Sequence, residues 1–220
     1  MLEPGDPRYP PRLRKYGGGP RDARITVIGN AGLLLRQSIG LICSRRCPGS
    51  VLLHMYEIVQ KLKLHPCIVV GGFHSPMERE CFEILLPGRS GIVLCPAHGL
   101  NRARLRKEVK QALLAGRMAI VSPFCGTMRR CTRNLAAVRN RFVAALSSVV
   151  IVPHAAPGSS TERLARDLIE AGMVVLTVDD PSNNNLFTIG AQRLEWSTLQ
   201  PGFRFPRSDK SGANRALRQL

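Results

Sequence analysis

Cys67-Ile68-Val69-Val70-Gly71-Gly72-Phe73-His74-Ser75-Pro76-Met77-Glu78 is the stretch that decides the fold. Its first four residues are apolar without alternation, as in a strand covered on both faces. The glycine pair ends that strand. Ser75, Pro76 and Glu78 then supply an N-cap, a first-turn proline and the acidic partner of a capping box, so a helix starts here. A strand feeding a capped helix is the repeating unit of a parallel α/β sheet.

The same alternation extends in both directions. Upstream, Ile25 to Gly29 and Ile39 to Cys43 read as short strands. Between them and the central stretch, Val51 to Leu64 sets Leu52, Met55, Ile58, Val59 and Leu62 at helical spacing. Downstream, Pro76 to Leu86, residues 104–115, 134–146 and 160–171 read as helices. They alternate with the apolar runs Ile92–Cys95, Met118–Ser122, Val149–Val152 and Val174–Val178. The expected fold is α/β: a Rossmann-like, doubly wound, mostly parallel sheet with helices on both faces, in one domain over 25–196. Residues 1–24 read as an irregular basic lead-in and 197–220 as a basic, flexible tail.

Charge narrows the partners. The 220 residues hold 32 Lys+Arg against 15 Asp+Glu, a formal net charge of +17. Arg far outnumbers Lys, which suits bidentate contacts to phosphate. Between Asn101 and Arg141 stand eleven basic residues, Arg102 and Arg104 among them, and a single acid, Glu108. Repulsion of that density calls for an anionic partner, nucleic acid first. Phe124 and Phe142 lie nearby as candidates for base stacking or for the core, and the setting of Phe142 favours the core.

No apolar run approaches the roughly 18 residues of a membrane span, and the start of the chain lacks the apolar region of a signal peptide. A cytoplasmic protein is expected. The seven cysteines form no C-x-x-C pair, and most sit in apolar runs, as buried free thiols do in a reducing compartment. Cys43, Cys47 and a distant histidine have poor spacing for zinc, so neither a metal nor another cofactor is expected.

Three strand-to-helix loops have the form of an anion site. They are Ser44-Arg45-Arg46-Cys47-Pro48-Gly49-Ser50, the loop Gly71 to Glu78, and His154-Ala155-Ala156-Pro157-Gly158-Ser159-Ser160-Thr161-Glu162. In open α/β sheets ligands bind beyond the carboxyl ends of the strands, where helix N-termini offer unpaired N–H groups. The expected binding residues there are Ser44, Arg45, Arg46, Gly71, Gly72, Phe73, His74, Ser75, Gly158, Ser159 and Ser160. His74, His98 and His154 each follow a strand, so they share one rim. No catalytic histidine or nucleophile motif accompanies them, and no catalytic residue is assigned. Glu78 and Glu162 have the spacing of helix caps.

Read in order, these pieces resemble the DprA/Smf family of DNA-processing proteins. Tyr9-Pro10-Pro11-Arg12-Leu13 is similar to the family's Tyr-Pro-x-x-Leu opening, and Ile28-Gly29-Asn30 to its first strand end. Cys43-Ser44-Arg45-Arg46 is similar to its Gly-Ser-Arg loop. Arg139-Asn140-Arg141 matches its Arg-Asn-Arg sequence and is the most specific correspondence. Gly158-Ser159-Ser160-Thr161 maps to its Gly-Ser loop, and Asn184 to Ala191 to its closing motif. The Gly71–Glu78 loop departs from the family pattern, and Ser122-Pro123-Phe124 lacks the family's Glu.

The resemblance implies a non-enzymatic protein that binds single-stranded DNA in a basic pocket. It implies a homodimer that mediates recombination in DNA uptake or repair by loading a RecA-type recombinase. It adds Arg139, Asn140 and Arg141 to the expected binding residues. The absence of a recognisable further DNA-binding domain after residue 200 suggests a minimal version. Two alternatives remain at this level. One is a LOG-like enzyme or sensor of a nucleoside monophosphate, with Glu78, Glu162 or His74 as acid–base groups. The other is a module whose basic face meets an acidic protein.

Overall fold

A computed structural model of the protein describes residues 1–16, 24–100, 105–124 and 132–199. In chain order it contains α1 (Pro11–Tyr16), β1 (Thr26–Gly29), β2 (Ile39–Leu41), α2 (Gly49–Leu64), β3 (Ile68–Gly71), α3 (Pro76–Leu85), β4 (Gly91–Leu94) and α4 (Lys107–Leu114). There follow β5 (Met118–Ser122), α5 (Arg133–Leu146), β6 (Val149–Ile151), α6 (Ser160–Glu170), β7 (Val175–Thr177), α7 (Asn184–Thr188) and β8 (Gln192–Arg193). The strands join one sheet in the order β1-β5-β4-β3-β2-β6-β7-β8. Every pair is parallel except β1 with β5.

The apolar runs are continuous because both faces of the sheet are covered. On one face Ile42, Ile68, Val70, Val93, Val121 and Val150 pack against Phe142, Val143 and Leu146 of α5 and Leu164 and Leu168 of α6. On the other, Ile39, Leu41, Val69, Ile92, Ile120 and Ile151 pack against α2, α3 and α4 through Val51, Met55, Phe82, Leu85 and Val109. Neighbouring residues of one strand alternate between the two clusters, as the pleat requires. Phe142 is in the core, as its setting favours, and Phe124 is buried as well.

Residues 1–16 of the lead-in pack onto the fold. Leu2 pairs with Ile25 through two backbone hydrogen bonds of 2.8 and 3.0 Å. Leu2 and Tyr9 are buried in the α5 face of the core. Helix α1 lies beside α5, and Arg12 Nη1 donates to the Ser147 carbonyl at 3.0 Å. Proline- and glycine-rich sequence signals turns, but it does not reveal which of its few apolar side chains find a core to enter.

Strand β2 is the pivot of the sheet. β3, β4 and β5 are laid down on one side of it, and β6, β7 and β8 on the other. The winding therefore reverses between β2 and β6, which run in register from Ile39 with Val149 to Leu41 with Ile151. A crevice opens beyond the carboxyl ends at such a reversal. The loops that follow β3, β2 and β6, three neighbouring strands, are the three singled out in the sequence.

Candidate nucleic-acid interface

Hydrogen bonds lock these loops together. Beyond β2 the chain stays zipped to the β6 side, with Ile42 N donating to Ile151 O and Ser44 N to His154 O, each at 3.1 Å. Ser44 Oγ accepts from Ala156 N at 3.3 Å. On the β3 side Glu78 is the brace. Its Oε1 accepts from Cys43 N at 2.8 Å, and its Oε2 from His74 N at 2.8 Å and Ser75 N at 3.4 Å. Ser75 Oγ closes the expected capping box by accepting from Glu78 N at 3.3 Å. A buried carboxylate is tolerated where several donors meet it.

The β6–α6 loop is held from behind by an asparagine pair. Asn183 Nδ2 donates to the carbonyls of Pro153 and Val178 at 2.8 and 2.9 Å, which turns its Oδ1 toward His154 Nδ1 at 2.8 Å. His154 therefore carries its proton on Nδ1. Asn185 Nδ2 donates to Ala155 O at 3.0 Å and to Glu162 Oε1 at 2.6 Å. Ser159 caps α6 as expected, accepting from Glu162 N at 3.1 Å. The Glu162 carboxylate binds Gly158 N at 2.7 Å instead of the cap residue's own amide. Gly158, at φ 72°, makes the turn that presents this amide. The Asn185 amide and the Gly158 N–H hold the Glu162 carboxyl below its usual range.

At the starts of α3 and α6, the amides of His74, Ser75 and Gly158 already serve the chain's own carboxylates. Arg139 on α5 is buried, with 4 % of its surface exposed. Its Nε donates to Asn140 Oδ1 at 2.8 Å and its Nη1 to Cys95 O at 3.5 Å, both neutral acceptors. None of the ion pairs among the described residues includes it. Its guanidinium lies flat on Gly72, where an added Cβ would fall 1.3 Å from Nη1. Gly72 thus serves as the seat of the arginine.

Around that seat the field is positive. His74 is exposed, and its pKa is lowered by partial burial first, then by Arg139 and Arg79, with Arg45 adding to them. Arg79 Nε donates to His74 O at 3.1 Å. Arg45 and Arg46 are exposed at the end of the β2 loop. The structure therefore gathers Arg45, Arg139 and Arg79 about His74.

Other expected residues stand differently. Phe73, at φ 48°, turns its ring inward over Gly71 and against Phe82, with ring centres 5.0 Å apart. It shapes the loop and offers no stacking face. Arg141 is half-buried, two residues beyond Arg139 and so on another side of the helix. Ser160 is exposed in the first turn of α6. His98 follows β4 on the same rim, with its Nδ1 2.9 Å from Gly99 O. Arg102 and Arg104 lie outside the described residues.

Two described members of the basic stretch are engaged within the fold. Arg117 donates to Leu86 O and Ser90 O at 2.9 and 3.2 Å, and Arg106 pairs with Glu83 at 2.7 Å. Sequence reasoning missed Arg79, Asn183 and Asn185. The asparagine run at 183–185 was the available signal for the last two. Among the described residues no group of three or more His, Cys, Asp or Glu side chains is placed to hold a metal, and no helix is long and apolar enough to cross a membrane.

Comparison with known proteins agrees with this architecture. No curated protein sequence matches the chain. The fold is similar to DNA processing protein A from Streptococcus pneumoniae, with a TM-score of 0.73 at 17% identity over 93% of this chain and 74% of that one. It is also similar to DNA processing protein A from Helicobacter pylori, whose structure describes a single-stranded DNA binding mode. There the TM-score is 0.67 at 20% identity, over 84% of this chain and 89% of that one. The model of the DNA recombination-mediator protein A family matches residues 1–195, nearly the whole of the described fold, and the chain belongs to that family.

Proposed function

We propose that the carboxyl edge of the sheet, at the β2–β6 reversal, binds single-stranded DNA through its phosphates. The observation that carries this reading is Arg139. It is a buried guanidinium whose hydrogen-bond acceptors among the described residues are neutral, and it sits with Arg45 and Arg79 around His74. A buried charge without a counter-charge is costly, and a phosphate would supply the missing one. Arg46 and Ser44 extend the contact along the β2 loop. The Helicobacter pylori relative's single-stranded DNA binding supports the choice of strand state.

For the nucleotide-enzyme alternative, Glu78 and Glu162 spend their oxygens on amide donors, which leaves His74 as its candidate acid–base group. Homodimer formation and hand-over to a RecA-type recombinase belong to the same proposal, and family membership supports them.

Fluorescence anisotropy with labelled single- and double-stranded oligonucleotides, across salt concentrations, tests it. Three phosphate contacts give a slope of about −2 in log K against log salt for single strands. Arg139→Ala is expected to weaken binding about tenfold or more and to flatten the slope by nearly one contact. Binding that ignores strand state, salt and Arg139 would refute the reading.

A further inference from the structure

The opposite, amino edge of the sheet carries charge that the proposed DNA site does not use. Arg36, Lys63, Arg89 and Arg117 stand a few residues before β2, β3, β4 and β5, four neighbouring strands, so each of these strands is entered past one cation. Neighbouring strands lie about 4.8 Å apart, so the row covers about 14 Å. The segments that carry it, 30–36, 63–66, 86–91 and 114–118, contain no Asp or Glu. None of the four cations joins the ion pairs among the described residues.

Hydrogen bonds hold these segments together as one surface. Arg36 Nη2 donates to Pro66 O at 3.5 Å, and Arg89 N to Lys63 O at 2.7 Å. The Lys63 side chain lies against Gly88, where an added Cβ would fall 2.5 Å from its Cγ. Arg117 ties the entry of β5 to the α3–β4 turn through the Leu86 and Ser90 carbonyls. Asn30 Nδ2 donates to Gly116 O at 2.8 Å, at the start of the short 3-10 helix Ala31–Leu35 that leads to Arg36.

Three leucines on the same segments are left in water. Leu35 is 47 % exposed, Leu64 64 % and Leu114 88 %. Leu35 adjoins Arg36, Leu64 adjoins Lys63, and Leu114 is one short turn before Arg117. Helix C-termini attract cations, and α2, α3 and α4 all end at this edge. Arg117 serves that role. The dipole gives no reason for exposed leucines beside the cations. A single exposed leucine needs no explanation, whereas several gathered among unpaired charges mark a binding surface.

We propose that the amino edge of the sheet docks an acidic protein segment that carries apolar side chains. A phosphate backbone would meet the cations and leave the leucines bare. An acidic segment with apolar anchors satisfies both. About four residues of extended chain, at about 3.3 Å each, span the row. The surface lies at the far end of the strands from the proposed DNA edge, so a protein partner and a single strand are held at once. The docking surface stands without the DNA reading.

The experiment uses the full chain and an array of synthetic peptides that mix Asp and Glu with Leu and Phe in varied order. Each has a control with Ser in place of Leu and Phe. The tightest peptide is labelled and titrated by fluorescence anisotropy. The expected result is binding of the mixed peptides over their Ser controls. The pair Arg36→Glu and Arg89→Glu, and separately the pair Leu35→Ser and Leu64→Ser, are each expected to weaken it about tenfold or more. All four side chains are exposed, so both variants are expected to fold, which circular dichroism checks. Arg139→Ala should leave peptide binding unchanged, and the leucine variant should keep its affinity for a single-stranded oligonucleotide.

No peptide bound, Ser controls that bind as well, or a leucine variant with unchanged peptide affinity overturns the proposal. Displacement of the peptide by one equivalent of oligonucleotide also overturns it, and shows that this edge meets nucleic acid instead. If the protein binds no DNA at all, the DNA reading falls, and the peptide titrations still decide the docking surface.

Discussion

Arg139 and His74 show how single side chains acquire character from their surroundings. A guanidinium keeps its charge under almost any condition, so burial beside neutral acceptors makes it seek an anion. His74 responds in the opposite sense. Burial and three arginines hold its folded pKa below the usual 6.5. A phosphate arriving among those arginines favours the imidazolium, so binding raises that pKa and takes up a proton. By linkage, affinity for single-stranded DNA should rise as pH falls through the region below about 6.5. Anisotropy titrations from about pH 7.5 to 5.5 check this, and His74→Gln should flatten the trend. In the free protein the same depressed pKa costs folding stability as pH falls through this region, because the unfolded chain binds the proton more readily. None of this is visible in the sequence, where His74 is one of three similar rim histidines.

At the scale of elements, capping was legible and bracing was not. Ser75 and Glu78 spell a capping box, and the box is present. The second Glu78 oxygen reaches Cys43 in the loop after β2, a contact that no local pattern encodes. Glu78→Gln should therefore cost more than a lost cap. One amide donor would face the glutamine NH2 group, leaving it unsatisfied in a buried position, at about 2 kcal/mol. Urea unfolding measures the loss, and Ser75→Ala, a cap alone, should cost about 1 kcal/mol. In α6 the same sequence spacing gave a different geometry, because Asn185 occupies one Glu162 oxygen and the Gly158 amide the other. Capping spacing identifies the acceptor; tertiary neighbours decide which donor it meets.

For the whole molecule, the lead-in belongs to the fold. Leu2 and Tyr9 enter the α5 side of the core, and Leu2 extends the sheet's hydrogen bonding to Ile25. Deleting residues 1–16 is expected to lower the melting temperature clearly. The two buried side chains alone contribute roughly 1.5–3 kcal/mol each. Thermal unfolding followed by circular dichroism checks it, and an unchanged midpoint would show that the segment adds nothing.

The sequence by itself determined the α/β class, the strands other than β8, most helix starts and the three loops that rim the crevice. Those features follow from side chains a few residues apart, through burial period and capping. Only the tertiary structure decided that the loops after β2, β3 and β6 lie side by side. It also decided that Arg139 reaches them across Gly72 and that Phe73 turns inward. Such contacts join residues far apart in the chain, as Ser44 is from Ala156. They depend on strand order and on the space left above each strand end, and neither is written in local pattern.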